Sequence, residues 1–126
     1  MAQGEISVRK LTAGCGAEIS GVDLAGDRGN RQWDVVRQAF VDHGVIFFRD
    51  QTLTPEQHLA FARRWGRIDI NRFFTPVPGY PEIAEVRKEK EQKTNIGGGW
   101  HTDHSYDAEP AMGSILVARE VRAEGG

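Results

Sequence analysis

Residues 100–106 read Trp-His-Thr-Asp-His-Ser-Tyr, and they place an imidazole and a carboxylate where the two could act together. In an extended chain, residues two apart point to the same side. His101 and Asp103 would then turn toward one point, with Thr102 facing away. An imidazole nitrogen with a carboxylate oxygen is a borderline-hard ligand pair suited to Fe(II). Joined by one distant histidine, such a pair makes a facial triad that leaves three octahedral positions open. Those positions can take a chelating co-substrate and O2. His-x-Asp is a common tripeptide, so its spacing marks a candidate and no more. His104 falls on the opposite face of an ideal strand and reads as a rim residue. His43, at a helix end where the carbonyl dipole favours a cation, and His58, on the solvent side of a second helix, read as structural.

The elements that must position this pair are legible upstream. Ile6–Val8 and Ala17–Ser20 read as short strands, with Gly14, Gly16 and Gly21 as turn or bulge points. These glycines lack the spacing and the preceding buried strand of a dinucleotide loop. Asn30 is positioned to cap a helix over 31–43, whose apolar face is Trp33, Val36, Phe40 and His43. Gly44 ends it, and Val45–Phe48, apolar on both faces, reads as a buried strand. Thr54, Pro55 and Gln57 form a capping box for the next helix. Leu59, Ala62 and Trp65 supply its stripe, and Gly66 closes it. Asn71–Pro81 reads as loop, Glu82–Arg87 as a short strand and Arg87–Lys93 as a solvated charged loop. Gly97–Gly99 let the backbone pass close to the candidate pair. Ala111–Val117 reads as a buried strand. The fold class is α+β in one domain, residues 1–126, with no internal repeat.

Composition narrows the function classes. The chain has 126 residues, a net charge of −2, 27% charged residues and one cysteine. That is the size and make-up of an ordinary globular domain. Mixed charge leaves no footprint for nucleic acid or anionic lipid. Cys15 alone makes no internal disulfide, no apolar run is long enough to span a bilayer, and the first residues lack the pattern of a secretory signal. The expectation is a cytoplasmic protein with small-molecule partners.

Trp100-His101-Thr102-Asp103 resembles the iron-binding signature of the taurine dioxygenase (TauD/TfdA) family of Fe(II)- and 2-oxoglutarate-dependent dioxygenases. The resemblance extends in order through the chain. It includes Ala17–Leu24, Gly44–Gln51, Leu53–His58, Phe61–Gly66 and Pro110–Leu116. It implies a double-stranded β-helix, or jelly-roll, with flanking helices. It also implies Fe(II) held by His101, Asp103 and a distal histidine. 2-Oxoglutarate would chelate that metal, O2 would be consumed, and succinate and CO2 would leave as the substrate is hydroxylated. Family members are often dimers or tetramers, so a homo-oligomer is implied as well.

The sequence departs from the family pattern in two regions. No histidine follows His104, and Arg122 stands too near the pair to be the family's co-substrate arginine. The family's Gly-Gly-Asp-Thr segment would begin at Gly125-Gly126. The expectation is therefore an N-terminal portion with an incomplete barrel, marginal, aggregation-prone and inactive by itself. On the substrate side, family members with a taurine preference carry His-x-x-Tyr where Asn71 and Phe74 stand. Asn71 can still donate to an anion, whereas Phe74 lacks the hydroxyl. Asn95 is a candidate polar pocket residue. A small, anionic, sulfonate-like substrate is the implied class. Two rival readings are a non-catalytic β-rich binding protein and a metal site completed in trans by His43, His58 or His104 of a second chain.

Overall fold

The computed structural model describes residues 5–26, 29–71, 73–121 and 123. Arg122 and Gly125-Gly126, both used in the sequence reading, lie outside them, as do Met1–Gly4. The elements are β1 (Ser7–Lys10), β2 (Ala17–Ser20), α1 (Asn30–His43), β3 (Ile46–Phe47), α2 (Pro55–Arg63), β4 (Pro76–Val77) and β5 (Tyr80–Ala84). The chain divides into two units, Met1–His58 and Leu59–Gly126.

In the first unit β1 and β2 pair antiparallel, from Ser7 opposite Ser20 to Lys10 opposite Ala17. The connecting turn is held by Thr12, whose hydroxyl accepts from the Cys15 amide at 2.9 Å. From β2 the chain crosses through α1 and returns parallel, so that Ala17 lies beside Ile46 and Glu18 beside Phe47. A parallel return needs such a crossover element. The alternation of β2 decides what the sheet faces. Ala17 and Ile19 are buried, and α1 packs over β2 and β3 with Val36 and Ala39 buried beneath it. Val22, Leu24 and Leu53 complete this core. On the other side of β2, Glu18 is gripped by Arg9 from β1 and by Arg49, whose Nε donates to Oε1 at 2.8 Å.

Gln51 joins the chain after β3 to the chain after β2. Its Oε1 accepts from the Leu24 amide at 2.8 Å and its Nε2 donates to the Val22 carbonyl at 2.9 Å. Gly21 lies where backbones meet, with φ +82°. A Cβ there would lie 2.5 Å from the Glu5 carbonyl oxygen. Two of the expectations for this unit need correction. The α1 N-cap is Gly29, without a side-chain cap, and Asn30 is already helical. The strand after α1 is short and not buried: Val45 is 48% and Phe47 39% exposed. Its apolar run meets α1 on one side, and no described element covers the other.

Helix α2 starts as expected. The Thr54 amide donates to Gln57 Oε1 at 2.9 Å, and the Gln57 amide donates to Thr54 Oγ1 at 3.2 Å. His58 is half-buried, not solvent-facing. In the second unit Leu59 and Phe61 are buried. Phe61 meets Trp65 edge to face at 6.1 Å, a contact outside the expected Leu59–Ala62–Trp65 stripe. The stretch read as loop, 71–81, instead begins a hairpin. β4 and β5 pair antiparallel around Pro78-Gly79, with Gly79 at φ +82°. Arg63 Nη2 lies 3.2 Å from Glu82 Oε1 and ties the helix end to β5.

Beyond Ala84 the described chain is irregular. The strand expected over 111–117 does not form, and Met112 and Leu116 are exposed. An extended apolar segment becomes a strand only when a neighbouring strand takes its backbone N–H and C=O groups in register, and no such ladder includes these residues among the described elements. The observed sheets are thus a three-stranded mixed sheet and a two-stranded hairpin. A closed jelly-roll is absent among the described residues.

Candidate metal pair and adjoining cleft

The candidate pair sits in the second unit, on an irregular segment after the Gly97–Gly99 run. His101 Nδ1 lies 2.7 Å from the Gly99 carbonyl oxygen. A carbonyl only accepts, so Nδ1 carries the hydrogen and Nε2 is the nitrogen left to bind an ion. Such a bond through the second ring nitrogen commonly orients metal-binding histidines. Nε2 faces Asp103, 3.3 Å from its Oδ1. Two donors at right angles on a first-row cation, each about 2.1 Å from it, stand about 3.0 Å apart. The residues present therefore fit a shared cation. Gly97 makes room for the ring: its φ is +71°, and a Cβ there would stand 3.3 Å from His101 Cε1. Both side chains are largely exposed. No third His, Cys, Asp or Glu joins them among the described residues.

His104 leaves this pair and turns elsewhere. Its backbone is left-handed, φ +54°, which is uncommon for a residue with a Cβ. Its carbonyl accepts from the Asp107 amide at 3.1 Å, and its Nδ1 lies 3.4 Å from Asp107 Oδ2. These contacts place it on the wall of a cleft of about 440 Å³, between Asp69–Asn71 with Phe73 on one side and His104 with Tyr106–Glu109 on the other. Phe73 and Tyr106 form the aromatic part of that wall, with ring centroids 5.9 Å apart and planes at 87°.

The substrate candidates from the sequence separate in space. Asn71 lines the cleft, with its Oδ1 accepting from the Phe73 amide at 2.8 Å. Phe74 is half-buried and is not part of the cleft wall, where its neighbour Phe73 stands instead. Asn95 is exposed, and its Oδ1 is taken by Lys88 Nζ. Sequence reasoning missed the cleft role of Tyr106 and Asp107. Their placement follows from the turn at His104, for which a histidine gives no signal.

Comparison with known proteins defines first a class. The crystal structure of a taurine dioxygenase from Burkholderia xenovorans superposes with a TM-score of 0.70 and 35% identity, over 83% of this chain and 37% of that one. The family follows directly. The model for "Taurine catabolism dioxygenase TauD, TfdA family" matches residues 7–126, across both units, and the chain belongs to that family. An (S)-phenoxypropionate/alpha-ketoglutarate-dioxygenase of Sphingobium herbicidovorans is 31% identical over 126 residues, covering 94% of this chain and 42% of the relative. An alpha-ketoglutarate-dependent sulfonate dioxygenase of Saccharomyces cerevisiae is 29% identical, covering 98% and 32%. The chain thus spans a third to two fifths of the length of these relatives. No described helix is long and apolar enough to cross a membrane.

Proposed function

We propose that this chain carries part of the active site of an Fe(II)- and 2-oxoglutarate-dependent dioxygenase that hydroxylates a small organic substrate. The observation that carries the reading is the convergence of His101 Nε2 and Asp103 Oδ1 at 3.3 Å. It occurs in a chain that belongs to a dioxygenase family. The activities of the relatives, on a phenoxypropionate and on sulfonates, favour a substrate with an anionic group.

His101 and Asp103 would hold Fe(II), with the third protein ligand from outside the described residues. Fe(II) bound there would activate O2, the oxidant, coupling the oxidation of 2-oxoglutarate to succinate and CO2 with hydroxylation of the substrate. The chain's own residues orient and position. Gly99 fixes the tautomer of His101, and Gly97 leaves the space its ring occupies. The cleft beside His104 offers a seat for the substrate, with Asn71 on its wall. Asn95 and Phe74 would bear on substrate only after Lys88 or the loop around residue 74 rearranges.

Titration of the full chain with Co(II) under argon tests the metal site. The expected result is saturable visible absorption that disappears in His101→Ala and in Asp103→Ala, while His43→Ala leaves it unchanged. Absorption that survives both substitutions would overturn the assignment.

A further inference from the structure

We propose that Phe73 and Tyr106 are specificity-determining residues, which select a substrate with an aromatic ring over an aliphatic one of the same size. The proposal rests on reading the cleft as a substrate seat and deepens that reading, by naming the body of the substrate that enters it.

The polar groups of the cleft are engaged within the protein. Asp69 Oδ1 and Glu109 Oε2 flank the Arg67 guanidinium, at 3.7 and 4.0 Å. Asp107 Oδ2 faces His104 Nδ1 at 3.4 Å. Asn71 Oδ1 accepts from the Phe73 amide at 2.8 Å. What a ligand meets without displacing any of these is apolar. Ile70, Phe73 and Tyr106 line the cleft and are each more than half exposed. Its volume of about 440 Å³ falls in the range of sites that hold small organic ligands, about 300–1,000 Å³. A six-membered ring fits.

The two aromatic side chains make a corner rather than a flat wall. Their centroids are 5.9 Å apart and their planes stand at 87°. An aromatic ring has a negative face and a positive edge. A flat aromatic ligand in this corner can stack, offset, on one ring and meet the other edge to face in a single pose. A cyclohexane ring has the same span but no such charge pattern, so it gains from buried area alone. The corner therefore separates an aromatic body from an aliphatic one, which plain apolar burial does not do.

Both rings are placed before a ligand arrives, which lowers the ordering cost of binding. The bond from the Phe73 amide to Asn71 fixes the backbone under one ring. Tyr106 stands inside the turn closed by the Asp107 amide and the His104 carbonyl at 3.1 Å. Its ring also lies 6.0 Å from that of His104, tilted by 38°. Tyr106 follows Asp103 by three residues, at most about 11 Å of extended chain. A ring seated in the corner is thus within a small substrate's length of the metal pair.

Two neutral probes that differ only in the ring test this on the full 126-residue chain: benzyl alcohol and cyclohexylmethanol. Both carry the same hydroxymethyl group, so polar contacts cancel. Titration followed by saturation-transfer NMR should show benzyl alcohol binding about fivefold tighter, although cyclohexylmethanol is the more hydrophobic. Phe73→Leu and Tyr106→Leu keep apolar volume and remove a ring. Each should reduce the preference, and the double variant should abolish it. Tyr106→Phe keeps the ring and should keep the preference. Equal or tighter binding of cyclohexylmethanol to the wild type overturns the proposal. So does a lack of saturable benzyl alcohol binding, or a preference that survives in the double variant. The wild-type comparison needs no variant, so a misfolded substitution does not decide the outcome. Co(II) absorption on the same samples reports the dioxygenase reading separately, because neither Phe73 nor Tyr106 is one of its proposed ligands. Absorption without an aromatic preference removes this inference and leaves that reading standing.

Discussion

The two units of this chain divide their labour in opposite ways. In residues 5–58, alternation along β2 and the stripe of α1 meet face to face, and Ala17, Ile19, Val22, Leu24, Val36, Ala39 and Leu53 are buried together. From residue 59 on, only Leu59 and Phe61 are buried among the described apolar side chains. Trp100 is fully exposed, and Leu116 is 85% exposed. The candidate site residues, Asn71, Asn95, His101 and Asp103, all sit in the second unit. The first is a frame in which apolar residues are satisfied locally. The second presents polar groups on irregular backbone, where positioning rests on local hydrogen bonds such as that between His101 Nδ1 and the Gly99 carbonyl. Functional groups often sit on such loops for this reason.

That contrast can be broken by substitution. Ile19→Ala should lower unfolding free energy by about 2–5 kcal/mol in urea melts, whereas Leu116→Ala should change it by no more than about 0.5 kcal/mol. Equal effects would erase the distinction between the units. Two glycines sharpen it further. Gly21→Ala forces a Cβ against the Glu5 backbone and should cost about 1–3 kcal/mol of stability, with Co(II) affinity unchanged. Gly97→Ala should do the reverse, weakening Co(II) binding several-fold by displacing the His101 ring, with little change in the melt.

The smallest effect concerns pH. The hydrogen bond from Arg9 holds the Glu18 carboxyl below the usual carboxylate range. Partial burial opposes that shift, and the charge of Arg9 and the contact with Arg49 reinforce it. A folded value below the unfolded one means the stabilisation is complete above the unfolded value and is lost as pH falls through the folded one. Wild type should therefore lose stability relative to Glu18→Gln as pH is lowered from about 5 through the carboxylate range. Parallel curves for the two proteins would remove Glu18 from the account of the first unit.

Much of the frame was legible in residues 5–66. The capping box at Thr54, the strand at Ala17–Ser20 and the α1 stripe depend on neighbours within a few positions, so spacing reveals them. The misreadings have one common cause. Val45–Phe48 and Ala111–Val117 are apolar enough to be buried, but burial needs a partner surface, and sequence does not say whether one is at hand. The hairpin at Pro76–Ala84 was hidden by its prolines, which are tolerated at strand ends and edges. For the site, His-x-Asp spacing named a donor pair on an extended strand, whereas the two side chains stand 3.3 Å apart on irregular backbone. Phe74 was favoured over Phe73, because which of two adjacent aromatics faces a cleft turns on a single backbone rotation.

By itself the sequence determined the residue types that can hold a cation, the order of the first elements and the resemblance that placed the chain in its family. These are local or pattern properties, set by side-chain chemistry and by periods of two and 3.6 residues. The tertiary structure alone decided that His101 Nδ1 is spent on Gly99 and that His104 turns away to Asp107. It alone brought Asn71 and Phe73 to the same cleft as Tyr106. Those outcomes depend on left-handed backbone at His104 and on segments more than thirty positions apart meeting, and neither is written in the spacing of any motif.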